Sequence, residues 1–438
     1  MAVALDYRTN SDTKPPMDFG VRIRLSVMMF LQFAVWGSFW TVLNVYCDKT
    51  LHFSKLQIGS IYSTMALGAI LSTMFAGQLA DRLMSSEYLM AIFHLLGAAF
   101  LFAMAKFTDF QAVYWSALGF ALVYNPTLAI SNSLAFANIP DATRDFPTLR
   151  VLGTIGWIAA GVAVDYVLGT GAEASNKPVL MGAVLSLVLG LFSFALPHTP
   201  PSGKKGDAIP FIRAFGLLKD FSFGVFFLVS FAITIALAFY YTFTNNFLTD
   251  LHISNGASVQ ALGQVSEIFF MLALPFALKR FGMKGVLIVG MAAWAVRYGC
   301  FSTAHAWIGL VFIGIALHGV CFDFFLAAGF IHTDNKAPAA IRGSAQALFS
   351  FLTYGVGMYI GNLIAGYVAQ KFTLPGGATD WPHVWAVPAI GAAVCLVIFV
   401  VLWRDRQGKV EDAEAPALPV QAAAASPTDP GDVGQTAI

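Results

Sequence analysis

The sequence predicts an all-α membrane protein of twelve transmembrane helices, arranged as two six-helix bundles. Three observations carry this reading. The 438 residues are 58% hydrophobic and 11% charged, with a mean hydropathy of +0.71, whereas soluble domains carry roughly 25% charged residues. So little polar surface cannot cover a soluble particle of this size, and lipid is the natural solvent. An apolar run of about 20 residues spans the hydrocarbon core as a helix, and polar turns separate twelve such runs here. The longest interior polar stretch, 198–221, falls between the sixth and seventh runs and divides the chain six plus six.

In chain order, a polar tail (1–22) ends in Arg22, with Arg24 just inside the first run. The first run, 23–45, is expected to act as its own insertion signal, because no cleavable signal precedes it. Runs at 57–80, 87–105, 111–135, 147–168 and 179–197 complete an N-terminal bundle, 23–197. The stretch 198–221 is Pro/Gly-rich and basic, then turns amphipathic at "IPFIRAFGLLKD". It predicts a linker ending in a short helix on the inner membrane surface. Runs at 222–247, 259–279, 284–304, 306–332, 343–369 and 383–403 form a C-terminal bundle, 222–403. The Ala/Pro-rich tail, 404–438, has no apolar periodicity and is expected to be a disordered cytoplasmic segment.

Basic residues concentrate in cytoplasmic loops. With the N-terminus inside, 19 of the 25 Lys and Arg residues fall on the inner side and five in outer loops, and Arg297 lies within a run. An even number of crossings then places both termini in the cytoplasm. The net charge of +1 says nothing further. Cys47, Cys300, Cys321 and Cys395 show no paired spacing and read as small packing residues, not as disulfides or metal ligands.

The halves echo each other. "RVLGTIGWIAAGVAVDYV" (150–167) opens run five, and "GVGMYIGNLIAGYV" (355–368) lies in run eleven. Each carries small residues four apart, Gly156 with Ala160 and Gly357 with Gly361, a spacing that lets helices approach closely.

Ionisable residues inside a run cost about 2.5–3.5 kcal/mol on insertion scales, so they normally face a cavity or a partner. Arg150, Thr154 and Trp157 recur at i, i+4, i+7 and form one helical stripe: a guanidinium, a hydroxyl and a large ring suited to a polar, ring-bearing ligand. The competing reading is that Arg150 snorkels to headgroups. Gln260, Gln264 and Glu267 repeat the same spacing in run eight. Their amides pair donors with acceptors and match a nucleobase edge or sugar hydroxyls, although glutamines also serve as interhelical clasps. Asp323, in "GVCFDFFLAAGF" (319–330), has Phe322 before it and Phe324 after it, with Gly319 and Ala327 one turn away on its own face. Low-dielectric surroundings disfavour its charged form, which suits a group that takes up a proton on one side and releases it on the other. A fixed ion pair with Arg150 or Arg297 is the alternative. His94 and His318 read as hydrogen-bonded packing residues, Asp165 as an exposed acid near the outer end, and Pro126 as a kink with Asn125 and Asn132 lining one face. Gln32 and Trp36 are candidates for the same cavity.

Several stretches resemble known proteins. "GQLADR" (77–82) is similar to the loop motif that major facilitator superfamily transporters carry between spans two and three, while its counterpart "LKRFGMKG" (278–285) lacks the acid. "FLQFAVWGSFW" (30–40), "DFPTLRVLGTIGW" (145–157), "QVSEIFFMLALPFALKRFGMK" (264–284), "FDFF" (322–325), "AIRGSAQALF" (340–349) and "TDWPHVW" (379–385) resemble the nucleoside:proton symporters of that superfamily. The resemblance runs from the first span to the twelfth. It implies the major facilitator fold, import of nucleosides with protons by alternating access, and a site between the halves near the midplane. It also implies substrate-binding roles for Arg150, Thr154, Trp157, Gln264, Glu267, Phe322 and Asp323, with Asp323 and Glu267 in proton coupling. Trp157 stands where the family has Phe. In span seven, Ala238 and Tyr241 stand where it has Gln and Asn, which bears on the preferred base.

The expected partners are therefore a nucleoside, protons and the lipid bilayer, with no nucleic acid, no cofactor and no metal, and the chain is expected to work as a monomer in the cytoplasmic (inner) membrane. Another polar solute, such as a sugar or modified nucleoside, is the alternative substrate. An enzyme is not expected, since no metal-ligand spacing, Ser/His pair or phosphate-cradling Gly loop occurs.

Overall fold

A computed structural model describes residues 15–82, 84–169, 171–201, 211–338 and 341–404, with the backbone alone for 73–82 and 143. The N-terminal tail through residue 14, the side chains of "GQLADR", linker residues 202–210 and the tail beyond 404 lie outside the described residues.

Each predicted run has a helical counterpart. We number them α1 Phe19–Gly37, α2 Lys55–Arg82, α3 Ser86–Lys106, α4 Phe110–Asn138, α5 Ala142–Tyr166, α6 Lys177–Phe192, α7 Phe221–Asp250, α8 256–281, α9 283–302, α10 Gly309–Lys336, α11 Arg342–Lys371 and α12 Trp381–Leu402. Among the described residues, nine helices are long and apolar enough to cross a bilayer. That number takes α8 and α9 as one 47-residue helix, which breaks at Gly282 with φ 67° and ψ 173°. Only glycine reaches this backbone region without strain, so one residue replaces a loop. Starts are capped by acids: Asp18, Asp109 and Asp220 each accept from a backbone N–H three residues on, at 2.9, 2.9 and 2.8 Å. Pro178 and Pro382 begin α6 and α12, where the missing N–H costs nothing.

The amphipathic linker element exists as a 3₁₀ helix, Ile212–Lys219. Phe211 stacks on Phe351 of α11 at 4.2 Å, and Ala214 and Leu217 are buried, whereas Ile212 and Phe215 stay exposed.

The two small-residue motifs do equivalent work in the two bundles. Gly156 of α5 lies against the backbone of Phe30 in α1, and Gly361 of α11 against Ile235 and Ala238 of α7. A Cβ at either position would collide with its neighbour, so only glycine permits these crossings.

The bundles are fastened at the end remote from the termini. Asn44 donates to Thr242 O at 2.7 Å, Asn246 to Asp48 at 3.0 Å and Asn362 of α11 to Tyr62 O of α2 at 3.1 Å. Lys49 pairs with Asp250 at 2.7 Å, and the Lys55 N–H donates to Gln370 at 3.1 Å. Asp165, expected to be an exposed acid, is buried and accepts from the first turn of α8 (Ser258 N–H, 2.7 Å). That contact neutralises an orphan donor at a helix start.

Candidate functional site

Between the bundles lies a cavity of about 410 Å³, within the range that holds small ligands. The first bundle contributes Phe33 and Trp36 from α1, Met65 and Ala69 from α2, Asn125 and Leu128 from α4, and Arg150, Thr154 and Trp157 from α5. The second contributes Tyr241 of α7, Gln264 and Glu267 of α8, Phe322 of α10, and Tyr354, Met358 and Asn362 of α11. Trp40 and Tyr62, with ring centroids 4.6 Å apart, also line it.

The stripe on α5 faces this space. Arg150 does not reach for headgroups: its guanidinium carbon sits 4.2 Å from the Phe33 ring centroid, a cation–π contact. Trp157 meets Trp36 edge-on at 5.1 Å, and the backbone of Trp157 packs on Gly37. The Trp36 Nε1 and Gln264 Oε1 atoms are buried without a protein partner, which leaves a donor and an acceptor for a bound solute. Arg150 and Glu267, from opposite bundles, lie within electrostatic reach of each other.

Six of the seven predicted site residues thus line one cavity. Asp323 stands apart. It is fully buried on α10, absent from the cavity wall, and neither carboxylate oxygen has a hydrogen-bond partner. It still lies close enough to Glu267 for the two charges to interact. The local cause is a π-helical stretch, Phe322–Ala327. Such wide turns shift the phase of a helix and recur at functional sites; here Phe322 enters the cavity while Asp323 turns behind it. Neither Arg150 nor Arg297 bonds to Asp323.

Other expectations resolve differently. Gln260 is buried and its amide turns back to Gly256 O at 3.5 Å, so it leaves the stripe of Gln264 and Glu267. Gln32 is not in the cavity either: it donates to Thr127 at 2.7 Å and contacts His94 Nε2 at 2.8 Å. His94 Nδ1 meets Ser186 at 3.2 Å, which makes His94 the hydrogen-bonded packing residue expected. Asn125 lines the wall while donating to Met65 O and Ala121 O. The span-seven departure has a structural account on one side: Ala238 is fully buried against Gly361, where a longer side chain has no room, and Tyr241 takes a place on the cavity wall.

Sequence reasoning missed Tyr354, Asn362 and Tyr62 as wall residues, and it missed a buried pair behind the wall. Arg297 Nη1 lies 3.1 Å from His318 Nδ1, and His318 Nε2 lies 3.7 Å from Glu267 Oε2. An arginine at the centre of an apolar run was the available signal.

Among the described residues no group of three or more His, Cys, Asp or Glu side chains is placed to hold a metal.

Comparison with known proteins agrees with this geometry. The sequence matches the Nucleoside H+ symporter family over residues 19–408. It is 39% identical over 403 residues to YegT of Escherichia coli (strain K12), provisionally named a nucleoside transporter, covering 88% of this chain and 95% of that protein. It is 31% identical over 412 residues to the nucleoside permease NupG of the same organism, covering 89% and 97%. A crystal structure of the nucleoside transporter NupG, a major facilitator transporter, superposes with a TM-score of 0.80 at 31% identity, covering 87% of this chain and 98% of that one. The cavity between two bundles is therefore that of a transporter and not of an enzyme, and the chain belongs to the nucleoside H+ symporter family.

Proposed function

We propose that this protein carries nucleosides into the cytoplasm together with protons, as a twelve-crossing monomer of the cytoplasmic membrane with both termini inside. The observation that carries this reading is the facing of Arg150 and Glu267 across an aromatic-walled cavity between the two bundles. A nucleoside offers a flat base and a polar ribose. Trp157 or Phe322 stacks on the base, while Gln264, Glu267, Arg150 and Thr154 hydrogen-bond the base edge or the ribose hydroxyls. Asp323, buried without a partner, is the proton carrier, with Glu267 coupled to it by charge.

The cycle follows from charge bookkeeping. An ionised Asp323 beside an ionised Glu267 opposes closure, because two anions in a low-dielectric site repel. A proton on Asp323 removes that repulsion, the uncharged solute bridges the polar walls of the two halves, and the bundles rock about the site. Positive-inside orientation makes the fastened end the outer one, so the conformation described opens toward the cytoplasm, where deprotonation frees the solute.

The direct test is uptake of labelled uridine by cells with and without a protonophore, compared with Asp323→Asn. The expected result is protonophore-sensitive uptake that loses its dependence on the gradient in the variant. Uptake in Asp323→Asn that still follows the gradient fully would refute the proton role. Competition by unlabelled sugars but not by nucleosides would replace the substrate.

A further inference from the structure

We propose that His318 is a positioning residue for Glu267, locked by Arg297 into the neutral form that carries its proton on Nε2. Arginine has only donors, so its 3.1 Å contact with His318 Nδ1 requires the Nδ1 lone pair to accept. The ring proton must then sit on Nε2, which faces Glu267 Oε2 at 3.7 Å and has no hydrogen-bond partner. A second proton on the imidazole would have to displace the guanidinium.

The surroundings are built for this arrangement. His318 and Arg297 are both fully buried. The imidazole stacks on Tyr240 at 5.2 Å, and Gly263 of α8 leaves the room its Cβ occupies. The Arg297 guanidinium carbon lies 3.5 Å from the Tyr240 ring centroid, and its Nε and Nη2 have no partner. A cation enclosed by aromatic faces thus has one hydrogen-bonded outlet, the imidazole, which presents its far N–H to the carboxylate. The 3.7 Å gap exceeds a formed hydrogen bond, so a small approach of α8 toward α10 completes the bond and holds Glu267 as an anion. The other charged or titratable groups facing Glu267 are Arg150 of α5, Asp323 of α10, Tyr240 and Tyr241 of α7 and Tyr354 of α11. Arg150 belongs to the other bundle. His318 therefore supplies the donor that stays with Glu267 when the bundles move.

The inference rests on Glu267 as a titrating cavity group and not on the identity of the solute. Its test uses carboxyl infrared difference spectra of the full chain in liposomes, titrated with acid and no solute added. The Glu267 band is assigned by its loss in Glu267→Gln. Asn at 318 keeps an acceptor for Arg297 but drops the donor toward Glu267, whereas Gln reaches the Nε2 position with an amide N–H. His318→Asn is expected to let Glu267 protonate at about tenfold lower proton concentration, one pH unit, and His318→Gln to stay within about twofold. An unmoved midpoint in His318→Asn, or an equal shift in both variants, overturns the proposal. A second measurement needs no folded variant. Nitrogen NMR of ¹⁵N-histidine protein, between about pH 5 and pH 8 where histidine ordinarily titrates, should show two residues with bare Nδ1 and protonated Nε2 throughout: His318, and the buried His94, whose Nε2 faces the Gln32 amide oxygen. If fewer than two histidines keep that pattern across the window, the lock does not exist. Loss of nucleoside uptake as an activity would leave both readouts unchanged.

Discussion

The His94 cluster of the first bundle and the Arg297–Asp323 region of the second bury polar side chains in opposite ways. In the first, His94 is met by Gln32 and Ser186, and Gln32 by Thr127, so every member of the group has a partner inside the bundle. In the second, Arg297 bonds His318 and leaves two nitrogens unpartnered, while Asp323 has no hydrogen bond at all. A satisfied buried network holds helices together. An unsatisfied one stores interaction for a group that arrives later. The His94 cluster reads as a structural clasp, and the second bundle carries Glu267, Asp323, Arg297 and His318.

The largest effect expected is on transport. Removing Arg150, the first bundle's charge in the cavity, should lower uptake at least tenfold in Arg150→Ala, about 1.4 kcal/mol, with the purified variant still folded by circular dichroism. Near-normal uptake would assign the site to the second bundle alone. Next, Gly156→Leu and Gly361→Leu both overfill a helix crossing and should each cost about 1–3 kcal/mol or more, read as a fall in thermal midpoint. If only one of them does so, the two crossings are not equivalent. His94→Ala should cost about 1–3 kcal/mol of stability by leaving the buried Gln32 Oε1 without its donor, while Ser186 keeps its bond to the residue-94 carbonyl. It should leave the pH profile of uptake in place, and a moved profile would erase the contrast between the bundles.

The smallest effect concerns Lys49, outside the spans. Burial pulls its ammonium down, but the hydrogen bond and charge of Asp250, with Asp48, outweigh that and hold it above the ordinary lysine range. A raised value means the contribution is complete below about pH 10, the unfolded lysine range, and fades as pH climbs through the folded value. Lys49→Ala should therefore shift the thermal midpoint slightly at neutral pH and not at all in strong alkali. A partly exposed pair of this kind is screened by salt.

Much of this was legible in the sequence for definite reasons. Apolar runs and the polar stretch at 198–221 gave the two bundles, because lipid leaves a chain few alternatives to helices. Arg150, Thr154 and Trp157 were readable as a stripe because α5 is regular where they lie. Asp323 was visible as a misfit, but its side was not, since the π-helical turn at 322–327 breaks the 3.6-residue phase. Gln260 and Gln32 failed as cavity candidates because side-chain amides can turn to a backbone carbonyl or a neighbouring histidine, a choice spacing does not record. Ala238 could be interpreted only once Gly361 was found against it. The Arg297–His318 contact joins residues on different helices, and one sequence without its fold cannot pair them.

At the fastened end, Gly59 of α2 and Gly366 of α11 meet backbone to backbone, and a Cβ on Gly59 would strike the Asn362 carbonyl and the Gly366 backbone. At that point the helices touch through backbone alone, and the side-chain bonds that cross the seam, from Asn362 to Tyr62 O and from the Lys55 N–H to Gln370, must break before they part. A valine at Gly59 would act as a doorstop: the molecule would rest with its mouth turned outward, giving the opposite half of the cycle in a form that can be trapped and imaged.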